Sequence, residues 1–128
     1  MDDANVPSLL SMPYLGYCKK EDTLYQHTQS FILSHHNPYY YQGTCASGIG
    51  SPHTPKNYIW HIALSMQGLT GTKEEAKKMI NLILETSNNE GLCHEGFNKD
   101  EPSEYTRSWF AWANSLFAEL VYQTYFVK

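Results

Sequence analysis

The side chains in this sequence that could do chemistry sit mostly in segments rich in glycine and proline. In "GLCHEGFNKDEPSEYTR", residues 91–107, His94 and Glu95 stand side by side between Gly91 and Gly96. A carboxylate held in such a turn can act as a general base that takes a proton from water. It can equally be a solvated surface acid. The pair is not the H-E-x-x-H of a zinc hydrolase, because position 98 is Asn. Asp2, Asp3 and Asn5 form a second group, suited to sugar hydroxyls, to a cation, or to the flank of a helix N-terminus. Ser51 and His53 lie in "GIGSPHTP", where they either hold a polar ligand or cap the helix that follows. Gly48 and Gly50 in that stretch do not make the G-x-G-x-x-G fingerprint of a dinucleotide site. His35 and His36 lack further ligands at workable spacing, so no metal site is expected. Cys93 adjoins His94, but no third group to orient such a pair is evident.

The bulk composition narrows the classes further. The 128 residues suffice for one ordinary domain. At 41% hydrophobic and 17% charged, the chain can bury a core and is not a disordered tail. A net charge of -4 argues against a nucleic-acid partner. No uncharged apolar run of about 18 residues occurs, so no membrane span is expected, and the acidic "MDDANVPSLL" is unlike a secretory signal. The three cysteines, Cys18, Cys45 and Cys93, have no C-x-x-C spacing, which fits a reducing compartment and a cytoplasmic chain. Ten Tyr, five Phe and three Trp are numerous enough to supply a cleft as well as a core. Several lie in loop-like segments, such as "NPYYYQG" and "SEYTRSWF", mixed with Asn, His and Glu. Ring faces that stack on sugar C–H surfaces, beside polar groups that take hydroxyls, are the makings of a carbohydrate site.

The elements that must position these residues read as helices. Pro7 suits a first helical turn that Pro13 ends. Residues 21–34 place Leu24, Thr28, Phe31 and Ile32 on one face. Thr54 and Pro55 form a helix start, followed by an apolar side of Ile59, Trp60, Ala63, Leu64 and Met66, with Gly68 as the stop. Thr72 and Glu75 make a capping-box pattern for a helix running to about Thr86, with Ala76, Met79, Ile80, Ile83 and Leu84 inward. A last helix, from about Thr106 to Phe126, is apolar on nearly all sides, so it requires covering on several faces. The chain therefore reads as part of a larger helical body or as a subunit of a tight oligomer. No period-two pattern indicates a sheet.

Taken in order, "MDDANVPSLLSMPYLGY", "NPYYYQG", "GIGSPHTPKNYIW", "IALSMQGLTGT", "GLCHEGF" and "YTRSWFAWANSLFAELV" resemble glycoside hydrolase family 125 at similar spacing. The resemblance covers nearly the whole chain. It implies a relation to exo-acting α-mannosidases that remove α-1,6-linked mannose with inversion, and no cofactor is expected. It also implies an all-α fold, a partial (α/α)6 barrel, with residues 1–128 as a C-terminal fragment of the catalytic domain. The glutamate of the family's His-Glu loop is its catalytic base, and it matches Glu95. The same matching makes Asp2, Asp3, Asn5, Ser51, His53 and His94 mannose contacts, with Trp60, Tyr105 and Trp109 as further ones.

Some positions depart from the family pattern. His61 and Ser108 stand where it has proline, Gly96 where it has serine, and Gln29 where it has arginine. Drift of this kind is expected where selection on activity has relaxed. The family's catalytic acid, an aspartate, lies upstream of the point that Met1 matches. The isolated chain is therefore expected to bind part of an α-1,6-linked mannose oligosaccharide without cleaving it. The expected protein partners are an upstream N-terminal part of the barrel or a second copy of the chain. A mannose-binding module, a half-enzyme and a helical fragment without function are the alternatives.

Overall fold

The computed structural model describes residues 1–89 and 91–127. Among them are four helices: α1 (Thr23–Ile32), α2 (His61–Thr70), α3 (Lys73–Thr86) and α4 (Ala111–Tyr125). Five short strands join them: β1 (Tyr40–Gln42), β2 (Ser47–Ile49), β3 (Tyr58–Trp60), β4 (Gly96–Asn98) and β5 (Tyr105–Thr106). Strands β1 and β2 form an antiparallel hairpin, and β3, β4 and β5 form an antiparallel sheet in that order. The architecture is thus mixed α and β. This corrects the expectation of an all-α chain forming part of an (α/α)6 barrel.

The strands escaped the sequence for a physical reason. Each is two or three residues long, too short to display a period of two. Ile59 and Trp60 in β3, and Gly96 and Phe97 in β4, are buried in succession, so no polar alternation marks the sheet. A strand covered on both faces reads as a plain apolar run.

Helix α2 is the centre of the fold. It packs against both α3 and α4, and nearly every one of its residues from His61 to Thr70 is buried. Gly68 lets α4 approach: a Cβ there would lie 2.8 Å from Leu120 Cδ1. Two of the polar side chains that α2 buries are bonded locally, while Ser65 Oγ is buried without a partner among the described residues. Thr70 donates its hydroxyl to Met66 O at 2.8 Å, and Gln67 donates to Glu75 at 2.8 Å. The helix that requires surrounding is therefore α2 rather than α4. Helix α4 buries Ala113, Leu116, Leu120 and Thr124 and leaves Trp112, Tyr122 and Tyr125 exposed.

Helix α3 follows its sequence signals closely. Thr72 accepts the Glu75 amide at 3.2 Å, and Ala76, Met79, Ile80 and Ile83 face inward, while Leu84 is exposed. Helix α1 is capped by Asp22, which accepts the Leu24 amide at 3.0 Å. Its buried residues are Tyr25 and Ile32, with Leu24 and Phe31 facing out. The expected helix over residues 7–13 is replaced by turns. Asp2 organises these turns by accepting the Leu9 and Leu10 amides at 3.0 and 3.2 Å. No helix of the described residues is long and apolar enough to cross a membrane.

Candidate mannose site

Glu95 lies at the junction between the loop that leaves α3 and strand β4. Its side chain is only 16% exposed, and its Oε1 is 3.4 Å from Arg107 Nε. The backbone on either side is fixed. His94 donates its amide to His61 Nδ1 at 2.8 Å, Glu95 donates to Thr106 O at 3.2 Å, and Gly96 donates to Thr106 Oγ1 at 3.1 Å. Three consecutive amides each have an acceptor, so little freedom remains in where the Glu95 side chain begins. Arg107 adopts a left-handed backbone (φ 53) that few non-glycine residues take up. Strain of this sort concentrates where a side chain must be aimed. Here the arginine reaches Glu95 and lies 5.7 Å from the Phe110 ring centre.

His94 is fully buried beneath this turn. Its ring lies parallel to Tyr105 at 3.9 Å between centres, and to His61 at 5.4 Å. Its Nδ1 lies 3.2 and 3.0 Å from the carbonyls of Arg107 and Ser108. Two acceptors require a proton on that nitrogen, and Nε2 is buried without a partner among the described residues. His61 has the opposite arrangement. Its Nδ1 accepts the His94 amide, so its proton is on Nε2, 2.9 Å from Thr86 Oγ1. Burial, helped by the neighbouring His94, lowers the His61 pKa to about 3 and keeps the ring neutral.

The other expected site residues fall into a connected chain and a remainder. Asp3 accepts the amide and the side chain of Asn5 at 3.1 and 3.2 Å, and Asn5 reaches Ser51 Oγ at 3.5 Å. Buried Ser51 accepts the amide of exposed His53 at 3.2 Å, closing the turn through Thr54. Thr54 then accepts the indole N–H of Trp60 at 2.9 Å, and the Trp60 ring lies over Gly96, where a Cβ would come within 3.1 Å. Asp3, Asn5, Ser51, His53, Trp60 and Glu95 are therefore linked through successive contacts. Asp2 is 7% exposed and occupied by backbone amides; burial raises its pKa above the usual carboxylate value. Trp109 is 59% exposed beyond the turn, and Tyr105 is half-buried against His94.

Sequence reasoning missed Arg107, Thr86 and Thr106 as partners of the turn. Arg107 was visible as the only cation between Lys99 and Lys128, close to Glu95 in sequence. Nothing in the pattern marked the two threonines. Two cavities, of about 480 and 370 Å³, open beside the C-terminal end of α2, and neither touches Glu95. They are set about 15 Å along the helix from His61, so the volume of a cleft does not identify the chemistry here. Among the described residues, no three His, Cys, Asp or Glu side chains converge to hold a metal ion.

A family model described as metal-independent alpha-mannosidase, glycoside hydrolase family 125, matches residues 1–122. The chain belongs to this family. A solved Streptococcus pneumoniae structure is 53% identical, with a TM-score of 0.95 over 97% of this chain and 29% of its own. It belongs to a study of metal-independent alpha mannosidases and is a non-productive substrate complex with alpha-1,6-mannobiose. The meiotically up-regulated gene 157 protein of Schizosaccharomyces pombe is 45% identical over 123 residues, 94% of this chain and 24% of its own length. The chain thus spans about a quarter of the length of that relative. The TM-score also extends the mixed helix and strand architecture to the matching part of the pneumococcal family member.

Proposed function

We propose that this chain supplies one side of a mannosidase site, with Glu95 as the general base that activates water against an α-1,6-linked mannoside. Inverting hydrolysis needs two carboxyl groups about 6.5–9.5 Å apart, one to protonate the leaving oxygen and one to deprotonate water. Glu95 has the attributes of the second: it is largely enclosed, its backbone is pinned at three amides, and a cation lies beside it. Asp2 and Asp3 do not suit the role of the acid. The Asp2 carboxylate is occupied by the Leu9 and Leu10 amides, and Asp3 by Asn5. The 128 residues therefore form part of a larger catalytic unit and do not cleave the substrate alone.

The observation that carries this reading is the pinned Glu95 turn, placed in a chain that belongs to an α-mannosidase family. Incubation of the purified chain with α-1,6-mannobiose tests it. Binding without release of mannose is expected, and Glu95→Gln should perturb the binding signal. Turnover that Glu95→Gln abolishes would mean that both carboxyl groups lie within these residues.

The outer face of α4 favours a half-enzyme as the second reading. Ala111, Trp112, Ser115, Ala118, Tyr122 and Tyr125 are exposed and carry no charge. Such a face suits packing against another polypeptide, and the solved relative has more than two-thirds of its chain outside the matched part. Mixing this chain with the remaining part of a family 125 protein should then restore hydrolysis.

A further inference from the structure

The sheet that presents Glu95 ends where its ladder runs out of backbone acceptors. Trp60 pairs with Gly96 at the end of β3, and the next residue, His61, already begins α2. The His94 amide lies beyond the last paired residue of β4 and is buried. A buried amide without an acceptor is expensive. The His61 ring takes the place of the missing carbonyl by accepting that amide at 2.8 Å. Its other nitrogen donates to Thr86 Oγ1 at 2.9 Å, and the Thr86 hydroxyl donates to Leu82 O at 2.8 Å. The polarity therefore runs one way, from the His94 amide through His61 and Thr86 to a carbonyl of α3. Each donor and acceptor along it is used.

We propose that His61 is a positioning residue for Glu95, acting through the His94 amide to tie the turn to α2 and α3. The inference rests on the reading of Glu95 as the base. Its structural half can be measured separately. His61 touches neither Glu95 nor a sugar in this account. Its effect is to hold the residue before Glu95 while Thr106 holds the two that follow.

Nitrogen-15 NMR and amide hydrogen exchange on the full chain provide the test. The His61 ring should show a bare Nδ1 and a protonated Nε2; the reverse tautomer overturns the proposal. His61→Leu removes the acceptor and should speed exchange of the His94 amide about tenfold or more. The Gly43 amide, bonded to Ala46 O in the turn between β1 and β2, should keep its rate. His61→Asn places Oδ1 where Nδ1 lies and should return the His94 rate to within about threefold of the parent. The response of the Glu95 amide to α-1,6-mannobiose should be lost in the Leu variant and recovered in the Asn variant. Unchanged exchange in the Leu variant, or equal losses in both, refutes the role. If Glu95→Gln leaves the sugar response intact, the reading of Glu95 as the base fails, while exchange at His94 still decides whether His61 fixes the turn.

Discussion

Acid should destabilise this protein through His61, and the size of the effect follows from its burial. The ring is buried and neutral, with a pKa lowered to about 3 from an ordinary 6.5, first by desolvation and second by the neighbouring His94. Protonation would place a hydrogen on Nδ1 facing the His94 amide, so two donors would oppose each other across 2.8 Å. The unfolded chain takes up this proton near pH 6.5, whereas the folded chain resists it until about pH 3. The unfolded state therefore binds more protons throughout that window, and stability must fall as pH drops. Each pH unit is worth about 1.4 kcal/mol. At about pH 4.5 the loss is about 3 kcal/mol, and at about pH 3 it approaches about 5 kcal/mol, a large part of a typical total of about 5–15. Asp2 works in the opposite direction, because its raised pKa makes the folded chain the better proton acceptor. Its contribution cancels when two variants that both retain it are compared. Urea unfolding of the parent chain and His61→Asn at a series of pH values isolates the His61 effect. At neutral pH the variant should be less stable by about 1–3 kcal/mol, from the lost Thr86 bond and lost ring packing. Its stability should then fall less steeply, by about 1.4 kcal/mol per pH unit between pH 6 and 4. Parallel pH profiles for the two proteins would refute the account of His61 as a buried neutral ring.

Gly68→Ala should lower the melting temperature even though alanine favours a helix by about 1 kcal/mol, because its Cβ would meet Leu120 Cδ1 at 2.8 Å. Adding Leu120→Ala should relieve part of that loss, which a double-mutant cycle reads as favourable coupling. Thr72→Ala removes the acceptor for the Glu75 amide and should cost about 1 kcal/mol in chemical unfolding, while Thr72→Ser should be close to neutral. Asn37→Ala should cost about 2–4 kcal/mol. This buried side chain bonds both the amide and the carbonyl of Asp2, and it also donates to Ile32 O. Faster hydrogen exchange at Ala4, whose amide bonds Gly50 O, would locate the damage in the N-terminal segment.

Local signals in the sequence located the helices whose ends are set by their own residues. The Thr72 cap acts within a turn of chain, and α3 lies where it places that helix; α1 falls within residues 21–34 but turns Leu24 and Phe31 outward. The start of α2 failed because a distant segment overrides a local pattern. Thr54 and Pro55 resemble a helix start, yet residues 58–60 are drawn into an extended strand by pairing with residues 96–98. The Thr54 hydroxyl is instead committed to the Trp60 indole and to Ser51 O. In the same way, Tyr105 and Thr106 pair with Phe97 and Gly96, which delays α4 to Ala111. Residue types in the sequence suggested the candidate site. The contacts that hold Glu95 join residues 10 to 33 positions apart, and no local pattern encodes them.

That distinction changes how the departures at His61 and Gly96 should be understood. Proline at position 61 would suit the first position of a helix, where its missing N–H is not needed. It would offer no acceptor to the His94 amide. Relaxed selection would leave a substituted residue poorly accommodated, with buried polar atoms unpaired or packing voids around it. His61 shows the opposite. Both ring nitrogens are bonded, and the ring packs between His94 and Phe97, with centres 5.4 and 4.8 Å away. Gly96 is similarly matched to its surroundings, because a serine Cβ would press within 3.1 Å of a Trp60 ring that Thr54 holds in place. If these two residues form one solution to holding the turn, their effects should not be additive. His61→Pro and Gly96→Ser should each destabilise the chain when made alone. The double variant should be more stable than the sum of the two losses by at least about 0.5 kcal/mol, as for residues that share one contact network. Strict additivity in urea unfolding would show instead that the two positions vary independently.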